Sequence, residues 1–571
     1  MASTPSTGNV ANSATTNSLD KEKCQPDLSH GSTPRGSVLE NCTDSDVEAQ
    51  SPQPTKKPFS FWMSIVCILT IAFIVSWDAT CLAVAIPSIS KDLNGSSFQS
   101  FWASIAFMIG VVATQPIYTS VSDIVGRKPP LYTAMTLFAV GAIIFATAHD
   151  MSVVIAGRLV QGLGGGGLDV LESVLLADVT TLKERPLYLS LQGIPIVSGF
   201  VLGPIIGSLF SEFVTWRWIG WINLPFTGFA MALAFFFLHL RPIEVDTRSK
   251  LQRLDWTGMV LFVVGAAAFS LPLSWADSLY PWADWRTLLP FIIGVVVMIG
   301  FWFYEARPQE PMIPHRLFHN ITACMSIATG FLHGLVMYSI LLYLPLFFQA
   351  VYLQSPLQSG ISILPVCVLM IVASAVAPIL VKISKMYLPY LWGGWILTTL
   401  FMGLFYLAGQ DSSTATANAF QSLLGVGVGI VFTVTALPMQ GSVKNVDDQG
   451  LAAGMLVTFR LYGALIGLAI GSSVFNSFFA KSIVALDPLP EALAELADPS
   501  HAISFIPNIP SLDLPQDQME ALIQAYRAPF RAIWVTMAAL SGIATIMSFL
   551  MTKIDHDNEE QGKQRFEERK K

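Results

Sequence analysis

From residue 58 onward the chain alternates between long apolar runs and short polar breaks rich in Pro, Gly and charged side chains. The runs occupy 61–86, 101–121, 131–148, 152–177, 188–210, 220–238, 255–274, 288–304, 321–348, 359–381, 391–409, 417–440, 453–478 and 527–551. Most approach the roughly 20 residues that a helix needs to cross a bilayer. In lipid, a segment of this kind must satisfy its backbone within itself, so each run predicts a membrane helix. The expected fold class is an all-α membrane protein of about fourteen spans.

The polar breaks set the expected orientation. With a cytosolic N-terminus, the inner loops hold Arg127, Lys128, Lys183, Arg185, Arg241, Arg248, Lys250, Arg253, Arg307, Arg316, Lys382, Lys385 and Lys444. The outer loops then hold only Lys91, Arg217, Arg286 and Lys481. This asymmetry is the positive-inside pattern, and it puts both termini in the cytosol. Residues 1–57 are rich in Ser, Thr, Asn and Pro and read as a disordered cytosolic tail. No apolar segment of signal-peptide type lies near Met1, so the first span is expected to direct insertion. The segment 479–526 reads as an outer connector, with a short amphipathic helix around 516–526. The sequon at Asn94 falls in the first outer loop and is the expected glycosylation site.

Composition agrees with a bilayer as the main solvent, since 53% of residues are hydrophobic and 12% charged. The net charge of −7 comes from tails and loops, and no basic stripe points to nucleic acid. The six cysteines show neither paired nor metal-ligand spacing and read as small apolar packing residues. No nucleophile elbow, His-cluster metal site or phosphate loop is present, so no enzyme is expected. Neither is any cofactor or metal.

Within the spans, polar residues stand out because each is costly there. On the fourth span, Arg158, Gly165, Asp169 and Glu172 fall within about 60° of one another at 100° per residue, with Gln161 on the flank. One face thus carries a cation, an amide and two carboxylates. Snorkelling to the interface is the competing explanation for Arg158, and a structural pairing for the two carboxylates. Asp78 lies in the first span. His333 lies near the middle of the ninth span, where a proton relay and a satisfied structural histidine are both open. Arg460, inside the thirteenth span, reads as structural and close to the inner interface. Gly199, Gly203 and Gly207 form a stripe at four-residue spacing, with Pro204 beside it. Such stripes let two helix backbones approach closely, and proline bends the helix. Here the stripe is expected to serve as a contact between moving bundles.

Several of these stretches resemble the major facilitator superfamily, and over 60–551 its fourteen-span drug:proton antiporters, in the fungal toxin and multidrug efflux branch. The loop from Ser122 to Pro129 keeps the D-x-x-G-R-K core of the family's signature in Asp123, Gly126, Arg127 and Lys128. Thr119 and Ile124 depart from that signature, which implies a weaker latch. Arg158, Gln161 and Gly162 match R-x-x-Q-G-x-G, in which the arginine is associated with proton transfer. Gly199, Gly203, Pro204 and Gly207 match a pattern of exporting antiporters. Asp78-Ala79-Thr80 through Pro87, and Trp216-Arg217-Trp218 with Asn223 and Pro225, resemble two drug-exporter motifs. Asp178 and Arg185 match the family's loop after the fourth span, and Tyr343 through Gln349 resemble its end of the ninth.

The resemblance implies two six-helix bundles, 58–240 and 321–551, joined by two linker spans within 241–320, with a cytosolic tail at 552–571. It implies proton-driven efflux of a small hydrophobic or amphipathic compound by alternating access, from a monomer in the plasma membrane or, alternatively, a vacuolar or vesicle membrane. Asp78, Arg158, Asp169, Glu172 and His333 are the expected proton-coupling residues. Thr80, Gln161, Tyr343 and Gln349 are the expected cavity residues. The expected partners are the small-molecule cargo, protons and lipid, with the proton gradient as energy source. A proton-coupled importer, for example of a siderophore, and a non-transporting receptor are the rival readings.

Overall fold

The computed structural model describes residues 57–93, 97–181, 183–240, 254–276, 280–308, 311–354, 356–409, 413–443, 448–484, 490–497, 502–506, 509 and 512–554. Residues 1–56 of the predicted N-terminal tail, the Asn94 sequon, the segment 241–253 and residues 555–571 of the C-terminal tail lie outside the described residues. Among the described residues the architecture is helical. The first-half helices are α1 (Phe59–Asp92), α2 (Ser97–Val125), α3 (Lys128–Ala146), α4 (Met151–Val179), α5 (Arg185–Leu209) and α6 (Trp218–Phe236). Next come α7 (Trp256–Trp275) and α8 (Trp285–Tyr304). The rest are α9 (Ile321–Tyr352), α10 (Leu364–Ser384), α11 (Leu388–Leu404), α12 (Thr414–Val434), α13 (Gln449–Ile483) and α14 (Gln516–Phe549).

Among the described residues, 12 helices are long and apolar enough to cross a membrane. Neither α2 nor α7 is in that set; the apolar part of α7 is the shorter stretch Trp256–Pro272. Helix starts follow local capping chemistry, in which a short polar side chain satisfies the first free backbone N–H groups. The Asp150 carboxylate accepts from the amides of Ser152 and Val153 at 2.8 and 3.0 Å to open α4. The Asn320 side chain caps α9 through the Thr322 amide at 2.9 Å.

In the first half, α2 and α3 pack on α4, and α1 packs on α5 and α6. In the second, α9 packs on α13 and α14, α10 on α12, and α11 on α12 and α14. The halves meet where α13 lies against α4 and α2, and α10 against α5. Helices α7 and α8 pack on each other, and α7 touches both α2 and α13.

The segment 516–526 is not a separate amphipathic helix of the outer connector. It forms the first three turns of α14, which runs unbroken from Gln516 to Phe549. Nothing at Tyr526 or Arg527 interrupts helical hydrogen bonding, and both side chains find partners. The Tyr526 ring lies 4.8 Å from that of Phe479 on α13 and its hydroxyl donates to the Ala502 carbonyl at 2.8 Å. The Arg527 guanidinium donates to the Ala408 carbonyl at 3.2 Å.

Candidate functional site

A closed polar cluster sits inside the first half, between α1, α4 and α6. The guanidinium of Arg158 donates to Asp78 Oδ2 at 2.7 Å and to Gln161 Oε1 at 2.9 Å. Asp78 Oδ1 accepts from Gln161 at 2.9 Å and from Asn223 at 2.7 Å. All four side chains are buried, and the Arg158 guanidinium lies 4.2 Å over the Phe107 ring. A buried ion pair needs further hydrogen bonds to offset its lost hydration; here Gln161 and Asn223 supply them to Asp78 Oδ1 and Gln161 accepts from the arginine, while Arg158 Nε is left without a partner. Arg158 therefore does not snorkel. Asn223, in the W-R-W-x-x-x-x-N stretch, was legible as motif but not as a partner of Asp78. The start of the same stretch clamps the far end of α1. Trp216 Nε1 donates to Asp92 at 2.9 Å, and Arg217 bonds Asp92 at 3.0 Å and the Ala148 carbonyl at 3.1 Å. These contacts, the Trp216 hydrogen bond foremost, hold the Asp92 carboxyl below the usual carboxylate range.

Asp169 and Glu172 of α4 do not join this cluster, although the helical wheel puts them on the same face as Arg158. One helix face about four turns long passes more than one neighbour, and α4 meets α1 near Arg158 but the second half near Glu172. Asp169 accepts from Gln115 of α2 at 2.5 Å. It interacts electrostatically with Arg460. Asp169, Glu172, Arg185, Gln192, Tyr338 and Arg460 line one cavity of about 70 Å³ between the halves. Its walls also include Phe200, Met337 and Phe432. Arg460 is thus a wall of the central cavity rather than an interface anchor. It donates to the Phe432 carbonyl at 2.8 Å and covers that ring at 4.4 Å. Glu172 Oε2 and Arg460 Nε are buried without a hydrogen-bond partner, which leaves an acceptor and a donor available within the same walls.

The cavity is bounded by contacts across the halves. The Phe200 and Tyr338 rings meet edge to face at 5.6 Å. Arg185 donates to Gln440 at 2.8 Å and to the Thr180 carbonyl at 3.0 Å. Thr80, Gln161, Tyr343 and Gln349, expected at the cavity, are not among its lining residues. Thr80 bonds carbonyls of its own helix and Gln161 belongs to the Asp78 cluster. The Tyr343 hydroxyl donates to the Leu468 carbonyl at 3.0 Å, and Gln349 bonds Ser359 at 2.9 Å. His333 also lies outside the lining; its Nε2 is 3.0 Å from the Val428 carbonyl, and its ring is 5.7 Å from that of Phe432.

The loop between α2 and α3 forms a second polar node. Gly126 has a φ of +105°, a conformation that a residue with a β-carbon rarely adopts. That turn aims Arg127 back at α4, where it bonds Asp178 at 2.7 Å; it also bonds Ser122 at the end of α2 at 2.8 Å, with Asp123 a more distant partner at 3.3 Å. Burial opposes the Arg127 charge, but Asp178 and then Asp123 outweigh it and raise its pKa. Lys128 begins α3 beside this node. The node abuts the second half at Gly450, where an added β-carbon would stand 2.9 Å from Arg127 Nη2 and 3.1 Å from Asp178 Oδ1. Thr119, which replaces the family's glycine, faces Gly454 in the same way. Asp178, matched only as part of a loop, is the principal partner of Arg127.

The glycine stripe of α5 packs against α1, within the first half and not between the halves. A β-carbon on Gly199 would lie 2.8 Å from the Trp77 amide, and one on Gly203 2.8 Å from the Trp77 carbonyl. Gly207 faces Cys81 in the same way, and Pro204 lies inside α5. The two backbones touch because no side chain separates them. This close seat also positions Asp78, which lies between the contacts.

The family model of the Major Facilitator Superfamily matches residues 68–468. The chain is 44% identical over 528 residues to the MFS-type transporter sphD of Aspergillus fumigatus, covering 92% of this chain and 90% of that protein. It is 31% identical to the efflux pump FUS6 of Gibberella fujikuroi, covering 88% and 91%. It is also 33% identical to the MFS-type efflux pump MMF1 of Pseudozyma antarctica, covering 75% and 79%. Two solved structures share the fold. The human organic anion transporter MFSD10 gives a TM-score of 0.55 at 13% identity, covering 86% of this chain and 100% of that one. The proton:xylose symporter XylE gives 0.54 at 12% identity, covering 88% and 98%. The chain is a multi-pass membrane transporter, not an enzyme, and it belongs to the Major Facilitator Superfamily among that family's fungal transporters and efflux pumps.

Proposed function

We propose that the protein is a proton-driven antiporter that exports a small hydrophobic or amphipathic compound, a toxin, secondary metabolite or drug, by alternating access. The observation that carries this reading is the composition of the central cavity. Asp169 and Glu172 come from α4 in the first half and Arg460 from α13 in the second, so opposite charges from the two halves share one chamber. A proton placed on Asp169 removes its attraction for Arg460 and favours separation of the halves. Loss of the proton restores the attraction. A proton can drive a conformational change only through such a difference in affinity between two states. Phe200, Met337 and Phe432 supply apolar and aromatic surface for the cargo, and the unpartnered Glu172 and Arg460 atoms supply one acceptor and one donor.

Asp78 and Arg158 act one layer behind the cavity. Their pairing fixes α1 and α4 relative to each other, and a change in it moves the α4 turn that carries Asp169. His333 stands behind Phe432 as a relay on the second half. The chain works as a monomer of fourteen spans with both termini cytosolic, without a cofactor, in the plasma membrane, with Asn94 glycosylated in the first outer loop. The relatives named efflux pumps support the outward direction.

The test is accumulation of a labelled panel of toxins in cells with and without the protein, before and after a protonophore. Lower accumulation that disappears with the protonophore is expected. Equal accumulation across the panel would overturn export. Higher accumulation in cells carrying the protein would support proton-coupled import, the coupling direction of the symporter that shares this fold.

A further inference from the structure

The adjoining ends of α7 and α8 hold a pair of carboxyl groups with no role in the cavity. Asp255 is the N-cap of α7 and accepts from the Gly258 amide at 2.9 Å through Oδ1, which also accepts from the Tyr304 hydroxyl at 3.1 Å. Glu305 is the C-cap of α8 and accepts from the Ile313 amide at 3.2 Å through Oε2. One oxygen of each group remains. Asp255 Oδ2 and Glu305 Oε1 are buried and have no hydrogen-bond partner. Asp255 is 7% exposed and Glu305 2%, so bulk water has little access to either group.

Both orphaned oxygens crowd one point. A β-carbon on Gly258 would collide with Asp255 Oδ2 and stand 3.0 Å from Glu305 Oε1. Two ionised carboxylates this close, both out of water, repel each other and leave two acceptors unsatisfied. A single proton between them removes both costs. The helix ends say which group carries it. A negative charge is favoured at the N-terminus of α7 and disfavoured at the C-terminus of α8, so Asp255 is the carboxylate and Glu305 the acid.

We propose that Asp255 and Glu305 share one proton, forming an acid–carboxylate clasp that joins the ends of the two linker helices. The Glu305 O–H donates from Oε1 to Asp255 Oδ2, so the bond adds a proton from solution and no other group changes. Burial, opposed by the Ile313 hydrogen bond and reinforced by the Asp255 charge, pushes the Glu305 carboxyl up to about 7. Asp255 is the charged group acting on Glu305 among the described residues, and Tyr304 is the other titratable group bound to the pair. Helices α2 and α13 pack on α7 from the two halves, so the clasp holds an element that both halves touch. Loss of the proton near neutral pH loosens it.

Infrared difference spectroscopy of the purified full-length protein between pH 5 and pH 9 tests this. The expected result is a protonated-carboxyl band that titrates near neutrality and is lost in Glu305→Gln. In Asp255→Asn the midpoint of the Glu305 band is expected to move to lower pH, because the neighbouring negative charge is gone. Absence of a band assignable to Glu305 at pH 5–6, or an unchanged midpoint in Asp255→Asn, would overturn the clasp. Thermal melting of the same samples with magnesium or calcium separates the alternative. A large cation-dependent rise in Tm, abolished in Glu305→Gln, would show that a metal ion and not a proton bridges the carboxylates.

Discussion

Arg158 and Asp78 stand 80 positions apart in the chain and 2.7 Å apart in the fold. Removing either one strands the other charge in the interior, at a cost of about 3–5 kcal/mol. Arg158→Ala is therefore expected to lower Tm and to abolish proton-coupled efflux while the protein still reaches the membrane. The double variant Asp78→Asn with Arg158→Gln removes both charges and is expected to recover most of the Tm without recovering coupling. Melting curves and pH-jump transport in proteoliposomes read the two effects separately. Recovery of coupling in the neutral pair would remove the ion pair from the mechanism.

Gly203 meets the Trp77 backbone, so a single methyl group has no place to go. Gly203→Ala is expected to cost roughly 1–3 kcal/mol through overpacking, and Gly203→Leu more. Because the contact is internal to the first half, the loss should appear in Tm whether or not cargo is present. A destabilisation seen only in one transport state would contradict the internal seat of the stripe.

The helix pattern of this chain was readable because lipid forces every span to be apolar and self-bonded, and because Gly, Pro and charges gather at the breaks. The pairing of spans was not. Helical spacing puts Arg158 and Asp169 on one face of α4, yet one meets Asp78 and the other a cavity with Arg460. Spacing within a helix fixes direction around its axis, but not which neighbour stands there at each turn. The same limit hid Asn223 and Asp178, each matched to a motif and each bound to a residue dozens of positions away.

Arg127 and Asp178 lie against Gly450 of the other half. Asp178→Asn is expected to weaken this node and expose the cavity from that side. Maleimide labelling of a cysteine introduced at Gln440 should then run several-fold faster than in the parent protein. Unchanged labelling would limit the node to holding α2, α3 and α4 together.

Arg185 reaches across the halves to Gln440 at 2.8 Å. Gln440→Leu removes the acceptor and leaves a guanidinium donor unpaired, which costs about 1–3 kcal/mol or more for a charged group. The expected outcome is a lower Tm and faster labelling of cavity cysteines, whereas Gln440→Glu should slow labelling by strengthening the bond. Opposite signs for the two variants are the measurement that checks the contact.

The chamber between the halves, at about 70 Å³, has space for a few water molecules and not for a metabolite. Cargo therefore does not enter a vacancy of its own size; it must be accommodated by displacing the Phe200–Tyr338 contact and the walls around it. Part of every binding event is spent on that expansion, so measured affinity will understate the strength of the contacts made. Selection among compounds then depends less on fit to a fixed mould than on how well each one compensates for the parted surfaces. On the export function proposed above, bulk and greasiness would be tolerated together, and a compact polar solute, unable to replace the lost apolar contact, would be turned away.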